Sequence, residues 1–440
     1  MGPTVDVVAS SPALPERVDV VVIGGGIIGT STALALAERG VSVALCEKGR
    51  IAGEQSSRNW GWVRRMGRDP RELPLVVESL KLWAAMHQTV GADVGYRTSG
   101  ILYLCASEAD VERRAEWLKM AGDYALDTRM VGGSELERLL PGAGRNFVGA
   151  LYTESDGRAE PQAAAPAIAR AAQARGAAVL TGCAVRGVET TGGRVSGVVT
   201  ERGRIACSAV VLAGGAWSSL LCRHAGIRLP QLTVRASVLR TAPLDGPDGA
   251  AWAPGFAFRK RADGGYTVAN GLSNRHDIGP DSFRYFRDFL PLLRMEWRHV
   301  DPRPGRPFFH PRHLAGKWRL DEPTPFEAVR VLDPDPVEGH LDKAWSSLVA
   351  TFPEFGATRV VQRWAGLIDA TPDTVPVISE ATLPGFFIAT GFSGHGFGIG
   401  PGAGRLMADL VTGSPPIVDP LPFRFSRYAD GSAPKPYTGL

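Results

Sequence analysis

Three glycines and one acid mark the first place where this chain can do chemistry. Gly24, Gly26 and Gly29 stand as G-x-G-x-x-G within Gly24-Gly25-Gly26-Ile27-Ile28-Gly29, and Glu47 closes the next apolar run. Each position has a physical job. Gly24 permits a tight turn, Gly26 lets a pyrophosphate approach the backbone, and Gly29 lets a helix lie close to a strand. The helix start, at Ile27 and Ile28, presents free N–H groups to phosphate. The Glu47 carboxylate, with Lys48 beside it, accepts hydrogen bonds from ribose hydroxyls. A glycine turn without a ligand explains the glycines alone, but not an acid at that spacing.

A second group lies in the segment 51–71, which has Gly, Ser, Asn and Trp and no clear period, as a functional loop does. It carries Asn59-Trp60-Gly61-Trp62 and then Arg64-Arg65. Either arginine serves as an anion clamp for a carboxylate or a contact to the dinucleotide, or is a solvated loop residue. Trp60 and Trp62 either wall a ligand site or pack under the loop. His395, inside Gly394-His395-Gly396, offers a catalytic imidazole or matters through its backbone. Asp369 attracts a cationic amine or caps a turn with Thr371 and Pro372. Arg259 and Lys260 follow an apolar stretch, and either one reaches a pocket or both are exposed. His310, His313 and the neighbouring arginines read as a solvated loop.

The elements that must position these residues begin with a strand over Val18–Ile23, an alanine-rich helix and a strand over Val41–Cys46. A helix is expected near Leu73–Val90, a strand over Thr98–Leu104 and an amphipathic helix over Ser107–Ala125. A meander follows from Val179 to Val210. From Gln231 to about Arg363 apolar alternation and proline indicate an antiparallel domain with an irregular excursion over Asp301–Pro336. After Trp364 glycine-rich apolar sequence returns. Three strand-to-glycine elements far apart in the chain imply one domain assembled around a large ligand.

Bulk properties narrow the class. The chain has 440 residues, enough for two interleaved domains, and its formal charge of +4 does not call for nucleic acid. Five cysteines without a C-x-x-C pair fit a reducing compartment. The histidines form no metal-binding spacing, so no metal is expected. No apolar run is long enough to span a bilayer, and the N-terminal segment lacks the pattern of a signal peptide. A cytoplasmic location is expected, with peripheral membrane association left open.

Together these motifs resemble the D-amino-acid oxidase-like superfamily of FAD enzymes, with glycine oxidase, sarcosine oxidase and D-amino-acid dehydrogenases. The resemblance rests on Gly24–Glu47, Asp156-Gly157 with Pro161, Ala213-Gly214-Gly215-Ala216-Trp217, Trp364-Ala365-Gly366-Leu367 with Thr371-Pro372-Asp373, and Gly391–Gly396. It implies an α/β fold in which a Rossmann-like FAD-binding domain is interleaved with an α+β substrate domain built on an antiparallel sheet. The expected division is 17–72, 150–230 and 364–425 for FAD, 73–149 and 231–363 for substrate, and tails at 1–16 and 426–440.

By the same resemblance Gly24, Gly26 and Gly29 contact the pyrophosphate and Glu47 the ribose. Ser56 and Ser57 meet the pyrophosphate and flavin, Val185 reads the adenine, and Ala213, Gly214, Trp217 and Gly366 border the cofactor. Gly394, His395 and Gly396 place N–H groups near the flavin pyrimidine edge. The chain departs from its relatives at Ile368, where an arginine clamps substrate in glycine oxidase, and at Gly398, where sarcosine oxidases have lysine. No cysteine follows Cys222, so the FAD is expected to be non-covalent.

The implied reaction is oxidation of a CH–NH bond of an amino acid, N-alkyl amino acid, imino acid or opine by hydride transfer to flavin N5, followed by imine hydrolysis. The flavin carries the difficult step, so no catalytic triad is required. The electron acceptor is oxygen or a quinone or other carrier. Other readings are a nicotinamide dehydrogenase, a non-catalytic FAD-carrying partner protein, or a subunit of a larger dehydrogenase.

Overall fold

The computed structural model describes residues 2–272, 274–310, 316–432 and 435–437. His313 lies outside these residues, as do parts of the excursion and of the C-terminal tail.

The run Val20-Val21-Val22-Ile23 is β-branched throughout, and such side chains suit a pleated strand covered on both faces. It lies inside a six-stranded sheet whose order is Val377–Glu380, Phe386–Thr390, Ala209–Leu212, Val20–Ile23, Val43–Glu47, Ala178–Thr181. The pairings are parallel except at the Val377–Glu380 edge. Strands distant in sequence therefore end together, at the side where the glycine turns begin.

The helix Ile27–Ala37 is buried along all its length, so it shows no polar stripe. Its neighbour is the C-terminal helix Gly396–Thr412. A Cβ on Gly404 would fall 2.5 Å from Ser31 Cβ, and one on Gly400 would fall 2.8 Å from Ile27 Cγ1. Glycine at these positions lets the two helices touch and brings the start of one beside the start of the other. The helix Leu73–Ala84 packs on the same element. Its Ser79 hydroxyl and Trp83 Nε1 donate to the Gly398 carbonyl at 2.8 and 2.9 Å. That contact sets Glu72, at the helix start, near His395.

A second, ten-stranded sheet joins Ile101–Cys105, Gly149–Thr153 and Thr128–Val131 to the strands from Leu232 to Arg303. Its longest pairing is antiparallel, Leu232–Thr241 against Val360–Ala370. The meander over Val185–Ala206 forms its own three-stranded sheet.

Several elements differ from expectation. The helix near Leu73–Val90 is two, Leu73–Ala84 and Met86–Val90, turning at Ala85. The strand over Thr98–Leu104 is divided, because Gly100 at φ +69° bends the chain between Arg97–Thr98 and Ile101–Cys105. The helix after Ser107 stops at Met120 and continues as one tighter turn. The excursion is partly regular: Val300–Arg303 pairs with Asn274–Asp277, and Pro325–Ala328 forms a helical turn.

Candidate active site

A groove of about 1210 Å³, counting space open to solvent, runs across the ends of the central strands. It begins at the first glycine turn. Gly24 has φ +111°, and a Cβ there would fall 2.4 Å from the Ala213 carbonyl oxygen. A Cβ on Gly29 would fall 1.9 Å from the Gly24 carbonyl oxygen. No side chain of the helix itself caps Ile27–Ala37. Ser56 does so from outside, its Oγ accepting from the Ile27 N–H at 2.8 Å. Gly26 faces that hydroxyl, with room for no side chain.

Glu47 folds across this turn. Its two oxygens accept from the Gly25 and Gly49 N–H groups, both at 2.7 Å. Burial pushes the carboxyl above its ordinary value, against the pull of Lys48 and the two amides. Ile27, Ile28, Lys48, Val185, Ala213, Gly214 and Trp217 also line the groove.

Glu54 organises the same end and was not singled out from the sequence. It accepts from Lys48 Nζ at 2.7 Å, from Trp217 Nε1 at 3.1 Å and from the Leu332 N–H at 3.0 Å. Lys48 lies over the Trp217 ring, 4.4 Å from its centre, and donates to the Val329 and Arg330 carbonyls. Phe326 packs on Trp217 at 5.6 Å. The excursion thus returns to close one end of the groove. His310 is half-buried and sits 6.3 Å from the Trp217 ring centre.

These residues fit a dinucleotide. The glycine cradle excludes side chains where phosphate would lie, and the groove is long. Gln55 Oε1, in its wall, is buried with no partner among the described residues. Gly366 makes room for that amide, since a Cβ there would fall 2.1 Å from Oε1. Ser57 is buried and turned away, its hydroxyl donating to the Glu54 carbonyl at 3.2 Å.

At the other end, Gly394 and Gly396 line the groove where the C-terminal helix begins. Ile368 lies against Gly394, its Cδ1 3.6 Å from where a Cβ would stand. Asp369 also lines the groove, but its carboxylate is taken up within the protein. Its Oδ2 accepts from the Gly391 N–H at 2.7 Å and from Thr390 Oγ1 at 3.1 Å, tying the strand Val360–Ala370 to this loop. Burial raises its pKa, opposed by those hydrogen bonds.

His395 Nδ1 stands 3.2 Å from Glu72 Oε2, and the imidazole is about a quarter exposed. The two atoms are not aligned as a hydrogen bond, so the contact is electrostatic. Burial lowers the His395 pKa, and Arg68 lowers it further, against the opposing pull of Glu72. Burial works against ionisation of Glu72, yet His395, Arg68 and Arg71 outweigh it and hold that carboxyl below its ordinary value.

The adjacent arginines face different partners. Asp156 takes Arg65: it accepts from the Arg65 and Met66 N–H groups at 2.7 and 3.2 Å and lies 3.6 Å from Arg65 Nε. Arg64 has no carboxylate within ion-pair distance among the described residues. Its guanidinium stands 5.3 Å from the Tyr103 ring centre and 6.0 Å from that of Trp62, and it donates to the Met66 carbonyl. Trp60 and Trp62 meet edge to face at 5.2 Å. Arg259 is buried against Glu160 and the Trp60 carbonyl, so it braces the tryptophan turn. Lys260 donates to the Leu244 carbonyl.

The comparisons agree with this architecture. The family model described as DAO, FAD dependent oxidoreductase, matches residues 19–410. The structure of L-amino acid deaminase from Proteus myxofaciens in complex with anthranilate superposes with a TM-score of 0.93 at 39% identity, over 98% of this chain and 97% of that one. Sarcosine oxidase subunit beta of Rhodobacter capsulatus is 26% identical over 96% of this chain and 91% of its own length. Glycine oxidase of Pseudomonas aeruginosa is 27% identical over 93% of this chain and 98% of its own. The chain therefore belongs to the DAO family of FAD-dependent oxidoreductases, and is an enzyme of amine and amino-acid oxidation.

Proposed function

We propose that the substrate is an amino acid, or a secondary amine bearing a carboxylate, oxidised at the carbon that carries nitrogen. In this reading residues 17–72, 150–230 and 364–425 hold the cofactor and 73–149 with 231–363 cover it. Bound FAD supplies the hydride acceptor. Gly24, Gly26, Gly29 and Ser56 hold the pyrophosphate, Glu47 the ribose and Val185 the adenine. The backbone of Gly394–Gly396, at a helix N-terminus, would stabilise negative charge on the flavin pyrimidine edge.

Arg64 clamps the substrate carboxylate, and Trp60 and Trp62 exclude water. Neutral His395, held by Glu72, accepts the amine proton. With FAD bound as the two-electron acceptor, the substrate carbon would lose its C–H electron pair and the nitrogen lone pair would close a C=N bond. Water then adds to the imine carbon and releases the nitrogen as ammonia or an amine. The observation that carries this reading is that Arg64, with no carboxylate partner among the described residues, is close enough to His395 to act on its charge, while His395 stands against Glu72. The likeness to an L-amino acid deaminase favours a primary L-amino acid.

The test is the visible spectrum of the purified holoenzyme during anaerobic titration with L- and D-amino acids, N-methyl amino acids and amines lacking a carboxylate. Bleaching by carboxylate-bearing amines alone is expected, and reoxidation on admitting air then separates oxidase from dehydrogenase. Bleaching only by amines without a carboxylate would remove the assignment.

A further inference from the structure

The proposed site uses one arginine, yet the same aromatic cluster holds three without an acidic partner. Arg68 is 4% exposed and Arg114 2% exposed. No carboxylate among the described residues lies within ion-pair distance of Arg64, Arg68 or Arg114. The nearby acids have closer partners, although Glu72 and Asp156 still attract Arg68 from beyond ion-pair distance. Asp156 serves Arg65, Asp110 caps the helix Glu108–Met120 and faces Arg113, and Glu72 faces His395.

Tyr103 joins two of the cations, and Arg68 reaches the same cluster through its carbonyl, which accepts from Trp117 Nε1 at 3.2 Å. The Arg64 and Arg114 guanidinium carbons stand 5.3 and 5.2 Å from its ring centre. Arg114 also lies 5.1 Å from the Trp252 ring centre, and Tyr103 stacks on Trp252 at 5.2 Å. Burial and the charge of Arg64 push Arg68 down to about 9, against the pull of Glu72, Tyr103 and Asp156. Burial likewise lowers Arg114.

Four nitrogens here are buried with no hydrogen-bond partner among the described residues: Arg68 Nη1, Arg114 Nε and Nη1, and Trp62 Nε1. All four are donors, and none can accept. Cation–π contact accounts for where Arg114 lies, but leaves its N–H groups unmet. The Cys105 thiol beside Arg114 is a weak acceptor. Buried donors find acceptors, and buried cations find anions, because the alternative is costly.

We infer that Arg68 and Arg114 build a second anion subsite beyond Arg64, so that the substrate carries two anionic groups, as a dicarboxylic amino acid or an N-carboxyalkyl amino acid does. The inference rests on the reading in which Arg64 takes the first carboxylate. One carboxylate has enough lone pairs for several of these donors, and guanidinium forks match it in pairs. Walls of Trp62, Tyr103 and Trp252 exclude water and strengthen the attraction. A substrate with one carboxylate leaves these donors buried and unmet, which is how a polar site rejects an analogue.

The experiment separates binding from turnover. Unreactive acids are titrated into the holoenzyme with tryptophan fluorescence and calorimetry as readouts: glutarate and succinate against butyrate and propionate. Wild type, Arg68→Met and Arg114→Met are compared, and then L-glutamate, L-aspartate, L-norvaline and L-alanine are tested for anaerobic flavin bleaching. The expected result is that diacids bind at least about 100-fold tighter than monoacids in wild type, and that Arg114→Met erases most of the preference. Equal affinity for both classes in wild type overturns the subsite, whether or not a variant folds. A preference that survives both substitutions also overturns it. Equal affinity together with bleaching by monocarboxylic amino acids removes the subsite and keeps amino-acid oxidation. Diacid preference with no bleaching by any amine keeps the subsite and removes that reaction.

Discussion

Glu72 and His395 each stand at the start of a helix, and the packing of those helices brings the carboxylate oxygen and the ring nitrogen to 3.2 Å. The carboxylate favours the charged imidazole, while burial and Arg68 oppose it and prevail. The imidazole pKa therefore lies below its ordinary value. Glu72→Gln removes the opposing charge, so the pKa falls further. The rate of anaerobic flavin reduction, followed against pH, should show its acid limb below pH 6.5 in wild type and at still lower pH in the variant. An acid limb that moves upward in Glu72→Gln would contradict the assignment.

Arg64 and Arg65 should separate cleanly in kinetics. Arg64→Ala should lower kcat/KM for carboxylate-bearing substrates by about 2–4 kcal/mol, mostly through KM. Arg65→Ala should instead lower stability by about 1–3 kcal/mol, because it leaves the buried Asp156 without its cation. Steady-state kinetics and denaturant midpoints measured on both variants check the pair. A larger KM effect in Arg65→Ala would reverse the roles.

Asp156 predicts a pH dependence of stability. Burial raises its pKa from 3.8 to about 6. A folded pKa above the unfolded one means that the folded state holds the proton more tightly. Its contribution is fully present below about pH 4 and is lost as pH rises to about 6. Two pH units correspond to about 3 kcal/mol. Asp156→Asn lacks this titration. Wild-type stability, measured relative to the variant by denaturant unfolding, should fall by about 2 kcal/mol between pH 4 and pH 6 and level off near pH 7. A flat difference across that window would count against the raised pKa.

The first glycine turn makes the strongest prediction for the cofactor. A Cβ on Gly29 would lie 1.9 Å from the Gly24 carbonyl oxygen, and that atom is backbone, with nowhere to go. Gly29→Ala should yield protein with little or no flavin absorbance even after incubation with FAD. Ser56→Ala removes only the acceptor for the Ile27 N–H and should weaken FAD binding by about 1 kcal/mol, roughly fivefold. Flavin content and equilibrium titration distinguish the two. Full flavin occupancy in Gly29→Ala would mean that the turn does not shape the pocket.

Much of the cofactor side was legible in the chain itself. The strand, glycine turn, helix and acid from Val20 to Glu47 obey local rules of spacing, and Gly29 answers to the Gly24 carbonyl of the same turn. The glycine segments at Ala213–Trp217 and Gly391–Gly396 were legible for the same reason. Glu54 and Gln55 were not. Nothing in their sequence neighbourhood signals that one collects Lys48, Trp217 and the Leu332 amide, or that the other meets Gly366.

On the substrate side the local order of residues named the loop but not its contacts. Arg64 and Arg65 are neighbours without periodicity, and what tells them apart is Asp156, 91 residues away along the chain, which accepts from the Arg65 N–H. That contact exists because Trp62–Val63 pairs with Gly157–Arg158. Arg68 and Arg114 read individually as ordinary charged residues of a loop and a helix. Only the folding of Glu108–Met120 against Tyr103 and Trp252 buries them together without an acid. The glycine turn is announced by its spacing, which the amino-acid order states directly. The direction of a side chain, its burial and the company it keeps depend on long-range pairing, and these the tertiary structure alone decided.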